Sequence, residues 1–312
     1  MKSTGKRHWR LVVTVALGLA VPVNAAAQTD WRASLVENPP IPPEIVAETR
    51  SAATDGLPDG LVAVHERTGD IRSAWYTKPT TRYAHGILGD AVEAAELRAT
   101  TTAGVILTFA LPETEVFEDR YPRLADLDGD GTVEVITIRS SVTRGASVTV
   151  YGLQDNALVE HASTGFIGRA NRWLNVAGIA GFLGGSGQQI AVVQTPHIGG
   201  TLFVYQFTDG VLGLVGRLRG FSNHVIGSTE MRLSATADVN ADGRPDLALP
   251  SSDRRRLRMV GFADGALAEF GAVTLPGRID KAIAVTGAGA AVRFTVGLDN
   301  AEVYDIHRTL KN

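Results

Sequence analysis

Arg123–Ile138 reads RLADLDGDGTVEVITI, and a second version of the same device, RLSATADVNADGRPDLAL, spans Arg232–Leu249. Each is an apolar run, an acidic loop of form D-x-[DN]-x-D-G-x-x-[DE], and another apolar run. In the first loop Asp126, Asp128, Asp130 and Glu134 crowd four carboxylates into nine residues, which repel one another unless a cation sits among them. Calcium suits such a loop: it takes roughly six to eight oxygens, and alternate side chains plus one backbone carbonyl, that of Thr132, can turn inward together. The second loop offers Asp238, Asn240, Asp242, the carbonyl of Arg244, and Asp246. Two Ca2+ sites are the expectation.

The acidic loop is one of two landmarks that recur in step. Ala125, Ala180 and Ala237 begin ADLDGDGTVEVI, AGFLGGSGQQIA and ADVNADGRPDLA, about 55 and 57 residues apart. A turn recurs at YGLQDNAL from Tyr151, YQFTDGVL from Tyr205 and VGFADGAL from Val260. Its Asp155, Asp209 and Asp264 precede Asn or Gly, the pairs that supply the positive φ of a tight hairpin. Each period then holds about four strands, as in Glu134–Arg139, Ser147–Leu153 and Ala157–His161 after the first loop. Four antiparallel strands per repeat is the blade of a β-propeller.

An upstream blade is expected from Tyr83–Leu88, Glu96–Thr100, Val105–Leu111 and Glu115–Glu118, with a spare hairpin near Leu61–Thr77. Ala282–Thr286, Val292–Leu298 and Glu302–His307 lack a full fourth strand. Pairing the two chain ends in one blade would remove the exposed edges both would otherwise present. The fold class expected is therefore all-β, a propeller of five blades with four to seven open, closed by its chain ends.

The two loops, each followed by a β-run (VEVITI, DLALP), resemble the FG-GAP/VCBS repeat family of calcium-loop propellers. With the degenerate middle copy the resemblance covers about residues 124–275. It implies calcium at Asp126, Asp128, Asp130, Thr132 and Glu134, and at Asp238, Asn240, Asp242, Arg244 and Asp246. The middle copy departs from the pattern, with Gly181, Leu183 and Gly185 at ligand positions, so a turn without metal is expected there. An EF-hand reading fails on its own terms, because Thr137 and Leu249 stand where that loop needs a bidentate Glu.

The 312 residues, 44% hydrophobic and 20% charged, have an ordinary globular composition. Lys2, Lys6, Arg7 and Arg10 precede the apolar run Leu11–Val23 and the small residues Ala25–Ala27. This reads as a signal peptide over residues 1–27, the run being shorter than the roughly 20 residues that span a bilayer. Residues 28–59, interrupted by Pro39, Pro40, Pro42 and Pro43, form an extended lead-in to a propeller domain at 60–312. Cleavage removes four positive charges and takes the formal net charge from −3 to −7, which argues against a nucleic-acid partner. With no cysteine, packing, repetition or metal must hold an exported chain together.

No glycine-flanked serine elbow, phosphate loop or zinc spacing is present. Export and the family resemblance suggest a periplasmic or secreted, non-catalytic module that binds a protein or glycan. The alternative is a propeller hydrolase or lyase on a phosphorylated or polysaccharide substrate. Its support is Arg82, His85 and Asp90 within PTTRYAHGILGD, set against a plain connecting segment. Arg254, Arg255, Arg256 and Arg258 form a basic run, and Trp75, Tyr121, Trp173 and Tyr205 are aromatics that either stack on sugars or pack between blades.

Overall fold

The computed structural model describes Met1 and residues 31–37 and 46–309. The expected signal segment, apart from Met1, and the proline cluster lie outside the described residues. The chain is all-β, built from short antiparallel sheets of strands that follow one another in sequence.

A first unit holds β2 (Ala63–Val64), β3 (Ile71–Thr80), β4 (Glu93–Thr101) and β5 (Ile106–Ala110). A short β6 (Glu115–Phe117) pairs with both β4 and β8, which fuses this unit to the next in one nine-stranded sheet. The second unit is β7 (Arg123–Ala125), β8 (Glu134–Ser141), β9 (Gly145–Gln154) and β10 (Ala157–Ser163). The third is β11 (Leu174–Ala180), β12 (Gln189–Gln194), β13 (Thr201–Thr208) and β14 (Val211–Arg219). The fourth is β15 (Ala235–Ala237), β16 (Asp246–Pro250), β17 (Arg256–Ala263) and β18 (Ala266–Thr274). Last come β19 (Ala284–Thr286), β20 (Arg293–Gly297) and β21 (Val303–Arg308), and β1 (Trp31–Leu35) pairs antiparallel with β21 to make the fourth strand.

The recurring Asp turns are as the sequence requires. Asp155 and Asn156 (φ 51° and 60°), Asp209 and Gly210 (51° and 73°), and Asp264 and Gly265 (51° and 76°) carry the paired positive φ of type I′ turns, closing the β9–β10, β13–β14 and β17–β18 hairpins.

Two expectations for the N-terminal half are corrected. Tyr83–Leu88 is a loop, because β3 runs on to Thr80 and the chain must then turn back into β4. The hairpin near Leu61–Thr77 is not spare, since its two arms pair as β2 and β3 of the first unit.

Alternating side chains of each sheet point into cores that lie between successive units. Ile71, Leu97, Val135 and Tyr151 pack the first unit on the second. Ile136, Val148, Ile190 and Val192 join the second to the third. Val193, Leu202, Leu247 and Val260 join the third to the fourth, and Ala248, Met259, Phe294 and Val296 join the fourth to the last. Among the described residues no such cluster joins the last sheet to the first.

This topology sorts the loops. The links from first to second strand, which carry the acidic sequences, emerge at one end of the sheets. The links from second to third strand, and from one unit to the next, emerge at the other.

Candidate functional site

At the acidic end, the two loops have one hydrogen-bond plan. Asp126 accepts from Gly129 N (2.7 Å) and Gly131 N (3.0 Å), and Asp238 accepts from Ala241 N (2.7 Å) and Gly243 N (2.9 Å). Glu134 closes the first loop by accepting from Leu127 N at 2.7 Å, as Asp246 does from Val239 N at 3.0 Å. Burial, followed by the neighbouring acids, pushes both closing carboxyls up to about 7. Asp126, Asp128 and Asp130 bring carboxylate oxygens within 4.8 Å of one another, a donor set that fits a hard cation.

The second loop differs in how its own side chains meet. Arg244 reaches back to Asp242, Nη2 to Oδ2 at 2.6 Å, and Asn240 Nδ2 donates to the same oxygen at 3.1 Å. This loop therefore carries part of its own counter-charge. The first loop also leans on the third unit: Gln188 N donates to Leu127 O at 3.0 Å, and a Cβ on Gly187 would lie 2.5 Å from that oxygen.

At the opposite end, the Arg82, His85 and Asp90 set does not assemble. Arg82 is spent on the carbonyls of Glu115 and Pro112 and on Glu113. Asp90 accepts from Val92 N at 2.9 Å, capping its own turn. His85 instead meets Glu118: Nδ1 and Oε1 are 2.5 Å apart, and Glu118 is fully buried with its second oxygen taken by the Ser140 hydroxyl. Burial pushes the Glu118 carboxyl up, while its hydrogen bonds to His85 and Ser140 oppose the rise. Nε2 is left as the ring nitrogen without a hydrogen-bond partner among the described residues.

The His85 ring lines a cavity of about 280 Å³ together with Arg172, Trp173, His197, Ile198 and Ile226. Its walls come from the β3–β4, β10–β11, β12–β13 and β14–β15 links, which are locked together. Asn171 N donates to Tyr83 Oη (3.0 Å), Gly227 N to Ile87 O (2.9 Å), and Trp173 Nε1 to Glu118 O (2.9 Å). His197 Nε2 and His224 Nδ1 lie 3.1 Å apart against the Trp173 ring, and burial lowers the two imidazoles to about 4 and about 3. Both are neutral at pH 7. Ile198 and Ile226 remain 62% and 64% exposed at the rim.

Behind the dyad lies a buried acidic group. Glu93, 2% exposed, has its carboxyl pushed up to about 10 by burial and then by Glu118, Asp90, Asp119 and Asp59. It is a neutral acid at physiological pH. Asp119 is ion-paired with Arg123, and Arg120 with Asp59 at 2.9 Å.

Sequence reading found His85 and missed Glu118, because the two are brought together by strand pairing: β6 sits between β4 and β8. Three of the four arginines of the basic run and two of the aromatics prove structural. Arg254, Arg255 and Arg258 donate to the carbonyls of Ile279, Pro276 and Gly220. Trp173 and Tyr121 are 2% and 4% exposed, so neither offers a free face for a sugar.

No protein-family model and no curated protein matches the chain. Solved structures share the fold. The Bacillus licheniformis rhamnogalacturonan lyase is 13% identical over 82% of this chain and 51% of its own, with a TM-score of 0.50. The exotype rhamnogalacturonan lyase YesX is 14% identical over 80% of this chain and 48% of its own, at 0.47. A protein from Lactobacillus plantarum is 13% identical over 80% and 69%, at 0.44. The chain spans about half the length of the two lyases. The expectation of a non-catalytic binding module is corrected here, because a solved structure that shares the fold is a rhamnogalacturonan lyase and the propeller-enzyme alternative fits it better.

Proposed function

We propose that the chain is a propeller enzyme that cleaves acidic polysaccharide by β-elimination, with His85 as its base. The observation that carries this reading is the 2.5 Å contact of His85 Nδ1 with the buried Glu118, which fixes the ring and leaves Nε2 for chemistry at the cavity. In the step proposed, Nε2 takes the proton next to a uronate carboxylate. The C–H pair becomes the new C=C bond, the glycosidic C–O bond breaks, and the departing oxygen takes a proton from solvent water, whose hydroxide recovers the one held on His85. Glu118 stabilises the imidazolium, and Arg172 on the cavity wall answers the substrate's carboxylate.

Hydrolysis by paired carboxylates fits less well. It needs two acids facing each other across the sugar, and no Asp or Glu of the described residues lines this cavity. The Bacillus licheniformis rhamnogalacturonan lyase that shares the fold supports the choice of an acidic polysaccharide.

The test is incubation of the purified chain with polygalacturonate and with rhamnogalacturonan, following the ultraviolet absorbance of the unsaturated uronate. Turnover that His85→Gln abolishes while the circular dichroism spectrum is kept supports the reading. New reducing ends without that absorbance, or no cleavage, overturn it.

The remaining architecture is read as follows. The five sets of four strands are five blades of the FG-GAP/VCBS type, with β1 and β21 joining the chain ends in the last. Both acidic loops are assigned calcium, and the converging oxygens of Asp126, Asp128 and Asp130 support the first. The ion supplies cross-linking of the loop, and no catalytic step passes through it. Export is supported by the leader-like sequence of residues 1–27. No helix of the described residues is long and apolar enough to cross a membrane.

A further inference from the structure

A second cavity, open to solvent and of about 350 Å³, is lined by the first strands of the first three units, β2, β7 and β11, and by Met231, Arg232 and Ser234 before β15. The charged side chains on its wall are Arg50, Arg123 and Arg232, and no carboxylate of the described residues lines it. Three guanidinium groups at one small cavity are costly to hold together unless something fixes them. Here each is fixed from behind. Arg123 is held by Asp119 and by the carbonyl of Tyr121 (2.7 Å). Arg232 is gripped at two points by Glu230, both 2.8 Å, and donates to Ala47 O at 3.2 Å. Arg50 holds Glu48 through Nη1, at 3.0 Å to each oxygen. Arg50 and Arg123 also both stack on the Tyr121 ring, 3.9 and 4.5 Å from its centre.

The carboxylates thus aim the guanidinium groups without entering the cavity. Nε and Nη2 of Arg50 and of Arg123 have no hydrogen-bond partner among the described residues, which leaves planar donor edges for an oxyanion. We infer that this cavity is a binding site for a small oxyanionic ligand of sugar-acid size, separate from the His85 cavity. Its volume is about that of ten waters, more than a bare phosphate fills and enough for one hexuronate ring. Alanine, valine and glycine backbone walls on β2 and β11 suit the ring's apolar face, and the guanidinium groups suit its carboxylate. This inference does not rest on the enzyme reading, since it concerns binding alone.

The experiment is calorimetric titration of the full chain with galacturonate, with galactose and with inorganic phosphate, at low and at raised salt. Galacturonate should bind, galactose should not, and raised salt should weaken the binding. Arg50→Gln, at the most exposed of the three, should weaken it about tenfold. Arg123→Gln leaves Asp119 buried without a partner, so Arg123→Gln/Asp119→Asn is the variant to compare, with the same direction expected. Phosphate binding that falls equally in these variants supports the oxyanion site and makes inorganic anion its ligand. Galactose binding as tightly as galacturonate, anion binding untouched by both variants, or no binding of either anion would sink the inference. Loss of polysaccharide cleavage in His85→Gln with galacturonate binding kept would show the two sites failing separately.

Discussion

Glu118 and Asp119 are consecutive, both fully buried, and serve two different cavities. The first holds His85 and the second holds Arg123. Adjacent residues on an extended chain point to opposite sides, so the segment just after β6 acts as a partition, with an acid–base group on one side and a cationic wall on the other. A change in one residue should leave the other's cavity working.

Glu118→Gln keeps the shape of the His85 contact but removes the charge that steadies an imidazolium. Cleavage should fall by about a hundredfold or more. Ser140→Ala, which acts only through Glu118, should give a smaller loss together with a displaced pH–rate profile. Equal activity across pH in both variants would remove the dyad from the mechanism.

The paired imidazoles set an acid limit to stability. A histidine in the unfolded chain takes a proton near pH 6.5, whereas His197 and His224 resist it until about 4 and about 3. The unfolded state therefore binds more protons across that interval, and stability falls as pH drops from about 6.5 towards 3. Thermal melts over this range should show the decline, and His224→Gln should flatten it.

Glu93 works in the opposite sense. Its folded carboxyl keeps a proton up to about pH 10 while the unfolded one loses it near 4.5, so its contribution to stability shrinks as pH rises from about 4.5. Glu93→Gln supplies a neutral group of the same shape. The variant should be close to wild type at pH 4 and clearly more stable at pH 8. Equal stability at pH 8 in chemical denaturation would contradict the shift.

Calcium should raise the melting temperature of the wild-type chain, and Asp128→Ala should reduce the rise. An ion that binds only the folded state adds about 2.7 kcal/mol at a hundredfold excess over Kd. The second loop should bind more weakly, since calcium must displace Arg244 from Asp242. Arg244→Gln should strengthen that site in calcium titrations, and a weaker site in this variant would mean the arginine helps to build it.

Gly187→Ala probes the contact between neighbouring loops. The added methyl meets Leu127 O at 2.5 Å and the backbone of Asp128 at 3.2 Å. A cost of about 1–3 kcal/mol is expected, with weaker calcium binding in the first loop.

Much of the fold was legible because it repeats. The Asp155, Asp209 and Asp264 turns and the two acidic loops carry local chemistry that fixes a backbone conformation, so they stand out without any knowledge of distant contacts. The first unit was misread around Tyr83 because its acidic-loop counterpart, residues 65–70, keeps only Glu66 and Asp70 as acids, and Asp70 bonds across to Val133 N instead of closing a loop of its own. The His85 partner was illegible for a related reason. Glu118 lies 33 residues away and reaches His85 only because β6 bridges two units. The arginine-lined cavity was likewise invisible, since Arg50, Arg123 and Arg232 meet only after several sheets have been assembled.

The pairing of Trp31–Leu35 with Val303–Arg308 joins two segments that lie far apart in the sequence. Everything between them must be made before that sheet can be finished, and closing so long a loop is the slowest kind of contact to form. The other sheets draw their strands from neighbouring stretches of chain and can assemble as those stretches appear. Until the two arms meet, Val303–Arg308 keeps one edge without its backbone partner. That seam sets the pace of assembly, and a break there would reopen the last sheet before any other.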